Sequence, residues 1–134
     1  MSQDWVKDIE EFHREVMLDN FETTPHIPDP KYKKLRRTLI REEIRETLQA
    51  MQANNLTKIA DGIADSIVVL LGTATTYGID MRPIWNEVHR TNMEKKTGPM
   101  REDGKRLKPE GWKPPNIGGL LAQQMNKVGD WNND

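Results

Sequence analysis

The sequence predicts an all-α fold, a bundle of four main helices in one domain spanning residues 1–134, with residues 98–134 as an irregular extension carrying a short β-ribbon. Three observations predict it. Apolar residues recur at intervals of three and four, as in Leu56, Ala60, Ile63, Ile67 and Leu71, which places them on one face of a helix. Proline, glycine and capping residues punctuate these stretches where helices should start and stop. After Gly98 the texture changes to Pro99, Gly104, Pro109, Gly111, Pro114 and Pro115 interleaved with basic residues, which suits no long helix. The chain shows neither an internal repeat nor a sustained heptad.

The elements follow in order. Asp4 can cap a first helix running to about residue 19, with Trp5, Ile9, Phe12, Val16 and Met17 on its apolar face. Pro25, Pro28 and Pro30 then impose an extended connection, because each removes an amide donor and restricts its predecessor. A second helix covers about residues 30–53 and is broken by Asn54 and Asn55. Thr57 is the expected cap of a third, over residues 58–77, and Gly78 closes it. Asp80 is the expected cap of a fourth helix over residues 82–95, with Pro83 in its first turn and Ile84, Trp85, Val88 and Met93 facing inward. Asp103-Gly104 signals a hairpin turn, which places a two-stranded ribbon near residues 100–108, and a short helix is expected over residues 120–128. The Asn-rich end beyond it is expected to fray.

With 134 residues the chain is long enough for one core and hardly for two. Its 35% hydrophobic and 31% charged composition would leave a monomer with a modest core, which oligomerisation would enlarge. Lys and Arg (20) nearly balance Asp and Glu (21), so bulk charge favours neither nucleic acid nor membrane association. The absence of Cys removes disulfides and thiolate ligands. Residues 1–11 lack a signal peptide's apolar run, and the longest greasy stretch, residues 67–72, is too short to span a bilayer. The expectation is a soluble, cytoplasmic protein.

Two acidic clusters stand out from this frame. Leu35, Leu39, Glu42 and Glu46 follow one another at spacings of four, three and four, so the carboxylates continue a line drawn by two leucines, and Glu43 lies beside them. Asp61 and Asp65, four apart, sit mid-helix beside the apolar stripe that begins at Leu56, with Lys58 the nearest cation. The first cluster alone reads as a solvated face screened by Arg41 and Arg45. Aspartate, however, is a poor helix-interior residue, and the second cluster changes the balance. Unpaired buried carboxylates are costly unless they change protonation, pair with a base or bind a cation. Oxygen donors select hard cations, Mg²⁺ or Mn²⁺.

The segments LIREEIRE, ADGIADSIVVLLGTATTYGID and EVHRTNMEKK, in that order, resemble the all-α nucleoside triphosphate pyrophosphohydrolases, the superfamily of MazG-like proteins, dimeric dUTPases and phosphoribosyl-ATP pyrophosphohydrolases. The resemblance covers about residues 35–117. It implies a Glu-x-x-Glu pair on one helix and an acid-x-x-Asp pair on the next that together hold Mg²⁺. Glu43 and Glu46 match the first pair and Asp65 the last position of the second. The remaining acid would fall on Gly62, whereas Asp61 lies one residue earlier, a rotation of about 100° on a helix. This Asp-Gly-x-x-Asp arrangement looks closer to the MazG-like branch than to histidine-pathway enzymes. The resemblance further implies attack of water on the α-phosphorus, release of pyrophosphate and nucleoside monophosphate, phosphate contacts from Asn92 and Lys95 or Lys96, and assembly as a homodimer or dimer of dimers. The substrate is then expected to be a nucleoside triphosphate, dUTP among the candidates; the alternatives are a phosphoribosyl-ATP pyrophosphohydrolase and a non-catalytic helical binding module whose basic ribbon, Arg101 to Lys113, contacts an acidic partner or nucleic acid. Glu42, adjoining the metal pair, is the candidate catalytic base.

Other conspicuous residues read as structural. His13, His26 and His89 have no metal-ligand spacing and no Cys or Ser nucleophile to serve. Trp5 and Trp85 read as core or interface, Trp112 as an anchor for the extension, and the basic residues of the ribbon as mostly solvated. Gly118-Gly119 is too short to be a phosphate loop.

Overall fold

The computed structural model describes residues 3–126. Its elements are α1 (Trp5–Glu15), α2 (Pro30–Gln52), α3 (Leu56–Thr76), α4 (Met81–Met93), one turn of 3-10 helix (Glu94–Thr97) and α5 (Ile117–Met125). The fold is all-α, with no β-strand among the described residues. The chain gathers into two compact units, one reaching to Asp80 and the other beginning at Met81.

In the first unit, α3 packs against both α1 and α2. The Asp4 carboxylate accepts from the Lys7 amide and starts α1. That helix stops at Glu15, short of the expected 19, because Leu18 takes a left-handed φ of 55°. Its buried side is Ile9, Glu10 and His13, while Trp5, Phe12, Val16 and Met17 of the expected apolar face are exposed. Asp29 caps α2 by accepting from Lys31 N, with Pro30 in the first turn. Asn54, at φ 53°, turns the chain, and Asn55 rather than Thr57 caps α3 by accepting from Lys58 N. A cap must precede the first helical residue, and α3 begins at Leu56, two residues too early for Thr57.

Gly78 ends α3 in a two-bond cap: its own N–H donates to Thr75 O and that of Ile79 to Ala74 O. Its φ of +71°, and the Thr24 carbonyl lying where a Cβ would stand, require glycine there. Although residues 67–72 alone are too short to cross a bilayer, α3 as a whole is long and apolar enough by length and composition, with a mean hydropathy of 1.3. Here it serves as the central helix of the unit and carries Asp61 and Asp65.

Two side-chain clamps fix the antiparallel register of α2 on α3. Near the start of α2, buried Arg36 donates from Nη2 to Val69 O at 2.8 Å and from Nε to Thr73 Oγ1 at 3.1 Å. One turn beyond Glu43, Thr47 Oγ1 lies 3.3 Å from Ser66 Oγ and fills the space that a Cβ on Gly62 would need. Each clamp depends on a glycine of α3, Gly72 at Arg36 and Gly62 at Thr47.

In the second unit, α4 packs on the 3-10 turn and on α5. Ile84 is buried and Val88 half-buried, but Trp85 and Met93, expected inward, are exposed at 69% and 57%. Between residues 98 and 107 the chain makes one tight turn with a single antiparallel bridge, Met100 to Arg106, at the place of the expected ribbon. Asn116 caps α5 through Gly119 N, and its own amide donates to Glu87 Oε2 at 2.7 Å. The helix therefore starts at Ile117, three residues before the expected position, and the expected end at 128 lies outside the described residues, as does the Asn-rich terminus.

Candidate functional site

The sequence drew its acidic line through Glu42 and Glu46, but the inward line of α2 runs one residue later, through Arg36, Glu43, Thr47 and Ala50. Those spacings of seven, four and three keep one helical face. Glu43 thus lies between the two clamps, on the side of α2 that meets α3. Glu42 and Asp65 are half-buried, whereas Glu46 and Asp61 are exposed.

Glu43 is the electrostatic centre of the cluster. Its Oε2 atom is buried and, among the described residues, has no hydrogen-bond partner. Its pKa is raised above the ordinary 4.5, first by burial and then by the charges of Glu46, Asp65, Glu42 and Asp61, in that order. The other four sequence-predicted carboxylates thus all act on Glu43. Among the described residues none of the five forms an ion pair. Nor, among those residues, is any group of three His, Asp or Glu gathered tightly enough to hold an ion without rearrangement. Glu46 and Asp61 are the exposed members of the cluster.

This donor set fits a hard divalent cation. It offers oxygen ligands only, a buried oxygen at its centre that is unpartnered among the described residues, and a negative charge that no ion pair among those residues neutralises. Glu43, Glu46 and Asp65 would hold the ion, with Asp61 the weakest contributor and Glu42 beside them.

The candidate phosphate ligands belong to the second unit. Lys95 is half-buried; its Nζ donates to Asn92 Oδ1 at 3.0 Å and stands 4.9 Å from the centre of the Trp112 ring. Trp112 in turn donates its indole N–H to Thr91 O at 2.8 Å, so it anchors the extension as expected. Lys96 is exposed and makes no hydrogen bond or ion pair among the described residues.

The family model for phosphoribosyl-ATP pyrophosphohydrolase matches residues 9–92, well over half of the chain. The chain belongs to this family. It is thereby a member of the MazG-like all-α superfamily and a pyrophosphohydrolase, a hydrolase acting on phosphoanhydride bonds. No curated protein matches the chain significantly. The matched span contains every acidic candidate and ends on Asn92, so Lys95, Lys96 and Trp112 lie beyond it.

Sequence reasoning missed the two clamps and the partners of Lys95. Gly62 and Gly72, set mid-helix where glycine costs about 1 kcal/mol against alanine, were the available signal for close crossing. His13, read from the sequence as structural, is 2% exposed, and its Nδ1 lies 3.0 Å from Asp19 Oδ2.

Proposed function

We propose that this pyrophosphohydrolase is Mg²⁺-dependent, with Mn²⁺ able to substitute, and converts a nucleoside triphosphate to nucleoside monophosphate and pyrophosphate. The observation that carries the reading is the buried, unpartnered Oε2 of Glu43 amid four further carboxylates. A triphosphate with about four negative charges would be repelled by that cluster, so substrate and cation must enter together. When bound, the cation would neutralise phosphate oxygens and make the attacked phosphorus more electrophilic. Glu43, Glu46 and Asp65, helped by Asp61, position it. Glu42 takes the proton from the attacking water, and Asn92 with Lys95 is the proposed phosphate contact of the second unit. Lys96 is the alternative to Lys95 in that role.

A second substrate, phosphoribosyl-ATP, is favoured by the description of the matched family. Both reactions break the same kind of bond. The test is pyrophosphate release from dUTP, dCTP, dGTP and phosphoribosyl-ATP, each with Mg²⁺, Mn²⁺ or chelator, comparing wild type with Glu46→Gln. Metal-dependent release lost in the variant supports the reading, and the panel ranks the substrates. Release that persists undiminished in chelator overturns the metal role.

The working form is proposed to be a homodimer or a dimer of dimers. Ile44, Leu48 and Met51 of α2 are 40%, 58% and 53% exposed beside a shallow groove of about 780 Å³, and Leu56, Ile63 and Leu70 of α3 recur every seven residues at 79%, 50% and 48%. Only 22% of the apolar stretch of α3 is buried within the chain. A second copy would cover such faces, since a twofold interface uses the same surface twice.

A further inference from the structure

The second unit holds a pair of ammonium groups that its own chemistry leaves unbalanced. Lys95 Nζ and Lys108 Nζ each stand 4.9 Å from the centre of the Trp112 ring, so the two nitrogens lie within twice that distance of each other. Among the described residues neither has a carboxylate partner. The neighbouring arginines are committed. Arg90 is held by Glu87 and Glu94, both at 2.9 Å, Arg101 by Asp103 at 2.7 Å, and Arg106 by the Gly98 carbonyl at 2.6 Å.

The placement of Lys108 is built rather than incidental. The Leu107 carbonyl lies where a Cβ on Gly98 would stand, and Leu107 N donates to Pro99 O at 2.7 Å. With the Arg106 contact, this closes the turn and delivers Lys108 to the end of the 3-10 segment that carries Lys95. The indole is itself fixed by its bond to Thr91 O, and Lys95 by its bond to Asn92. Two like charges thus stand over the same indole ring, with only one hydrogen bond, Lys95 to Asn92, spent between them among the described residues.

We propose that Lys95 and Lys108, held by Trp112, form a pyrophosphate-binding subsite within the second unit. Lys108 is a further phosphate-binding residue and Trp112 a positioning residue. A polyanion with several oxygen acceptors relieves the repulsion of the pair, and ammonium point charges suit a flexible chain of phosphates. The proposal rests on the reading that the substrate carries a triphosphate, and it adds residues that lie outside the matched span of the family.

The test titrates the full chain in chelator with sodium pyrophosphate, against sodium chloride at matched ionic strength, following the Trp112 indole N–H signal by NMR. A saturable shift is expected, weakened about tenfold in Lys108→Met and in Lys95→Met, as for loss of a charged hydrogen-bond donor. Lys108→Arg should restore much of the affinity, and Lys105→Met, on the exposed turn, should leave it unchanged. A shift that never saturates, an unaltered Lys108→Met, or equal loss in Lys105→Met would each overturn the subsite, the last by showing only a diffuse field. Turnover separates this failure from failure of the reaction. Nucleotide hydrolysis with unchanged pyrophosphate affinity in Lys108→Met sinks the subsite and leaves the reaction. Saturable, lysine-dependent pyrophosphate binding without hydrolysis of any nucleotide sinks the reaction and leaves the subsite.

Discussion

Gly72→Ala should destabilise the protein although alanine is the better helix former. The new Cβ would stand 2.5 Å from Arg36 Nη2, 3.3 Å from its Cζ and 2.7 Å from His13 Nε2. All three atoms belong to buried side chains with little freedom to retreat. Displacing the guanidinium breaks its bonds to Val69 O and Thr73 Oγ1. Hydrogen bonds from a charged donor are worth about 1.5–3 kcal/mol each, so losing both costs about 3–6 kcal/mol. Helix propensity returns about 1 kcal/mol. The net expectation is a loss of about 2–5 kcal/mol, read as a lower urea midpoint by circular dichroism at 222 nm. A Gly72→Ala protein as stable as wild type, or more stable, would refute the clamp. In an Arg36→Met background the part of the cost of Gly72→Ala that comes from displacing the guanidinium should vanish, leaving the contact with His13 Nε2. Since the clamp sets which turn of α3 faces Glu43, the variant should also bind Mg²⁺ more weakly.

Glu43, with its pKa raised from 4.5, should give the chelated protein extra stability below that value that is lost as pH rises through the folded-state pKa; Mg²⁺ should flatten this loss, and thermal melts across pH with and without the ion measure it. His13 behaves oppositely. Burial, and then Arg36, lower its pKa below 6.5, so the stability it contributes is full above 6.5 and lost as pH falls through the folded value; an imidazole titrating by NMR at or above 6.5 contradicts this. Leu48→Glu should shift the species seen by light scattering from dimer toward monomer, and a chain already monomeric at working concentration would remove the basis for that interface. Asp65→Asn should weaken Mg²⁺ binding more than Asp61→Asn, and calorimetric titration showing the reverse order would contradict the ranking of their charges at Glu43.

The helices were legible because punctuation and periodicity agree: Asp4, Pro30 and Gly78 mark boundaries that the structure keeps within a few residues. The inward faces were less so. Periodicity ranks residues by hydrophobicity, and here much of the buried surface is polar, with Glu10, His13, Arg36, Ser66 and Thr75 all under 9% exposed. A stripe drawn through Leu35 and Leu39 was therefore off by one residue, and the carboxylate it left out of line, Glu43, is the one that points between the helices. The five acids were legible as a group because their charge pattern does not depend on that phase. Lys108 was not, since its partner Trp112 is brought to it by a turn whose closure depends on the backbone at Gly98 and Leu107.

The displaced acid at Asp61 has a cause in the same crossing. At Gly62 a Cβ would lie 2.5 Å from Thr47 Oγ1 and 3.1 Å from Thr47 Cα, so the approach of α2 is limited by its backbone as well as by a movable side chain. No carboxylate can occupy position 62 while the helices stand this close. One residue earlier, the side chain turns about 100° out of the contact and becomes exposed, which is where Asp61 is found. That rotation lengthens its reach to Glu43 and makes it the weakest of the four charges acting there. In exchange the close crossing holds Glu43 and Asp65 on facing turns. A tight helix pair with Glu43 and Asp65 on facing turns and Asp61 turned out of the contact is thus a consistent solution, in which the glycine that breaks the acidic pattern is the residue that lets the helices cross this closely.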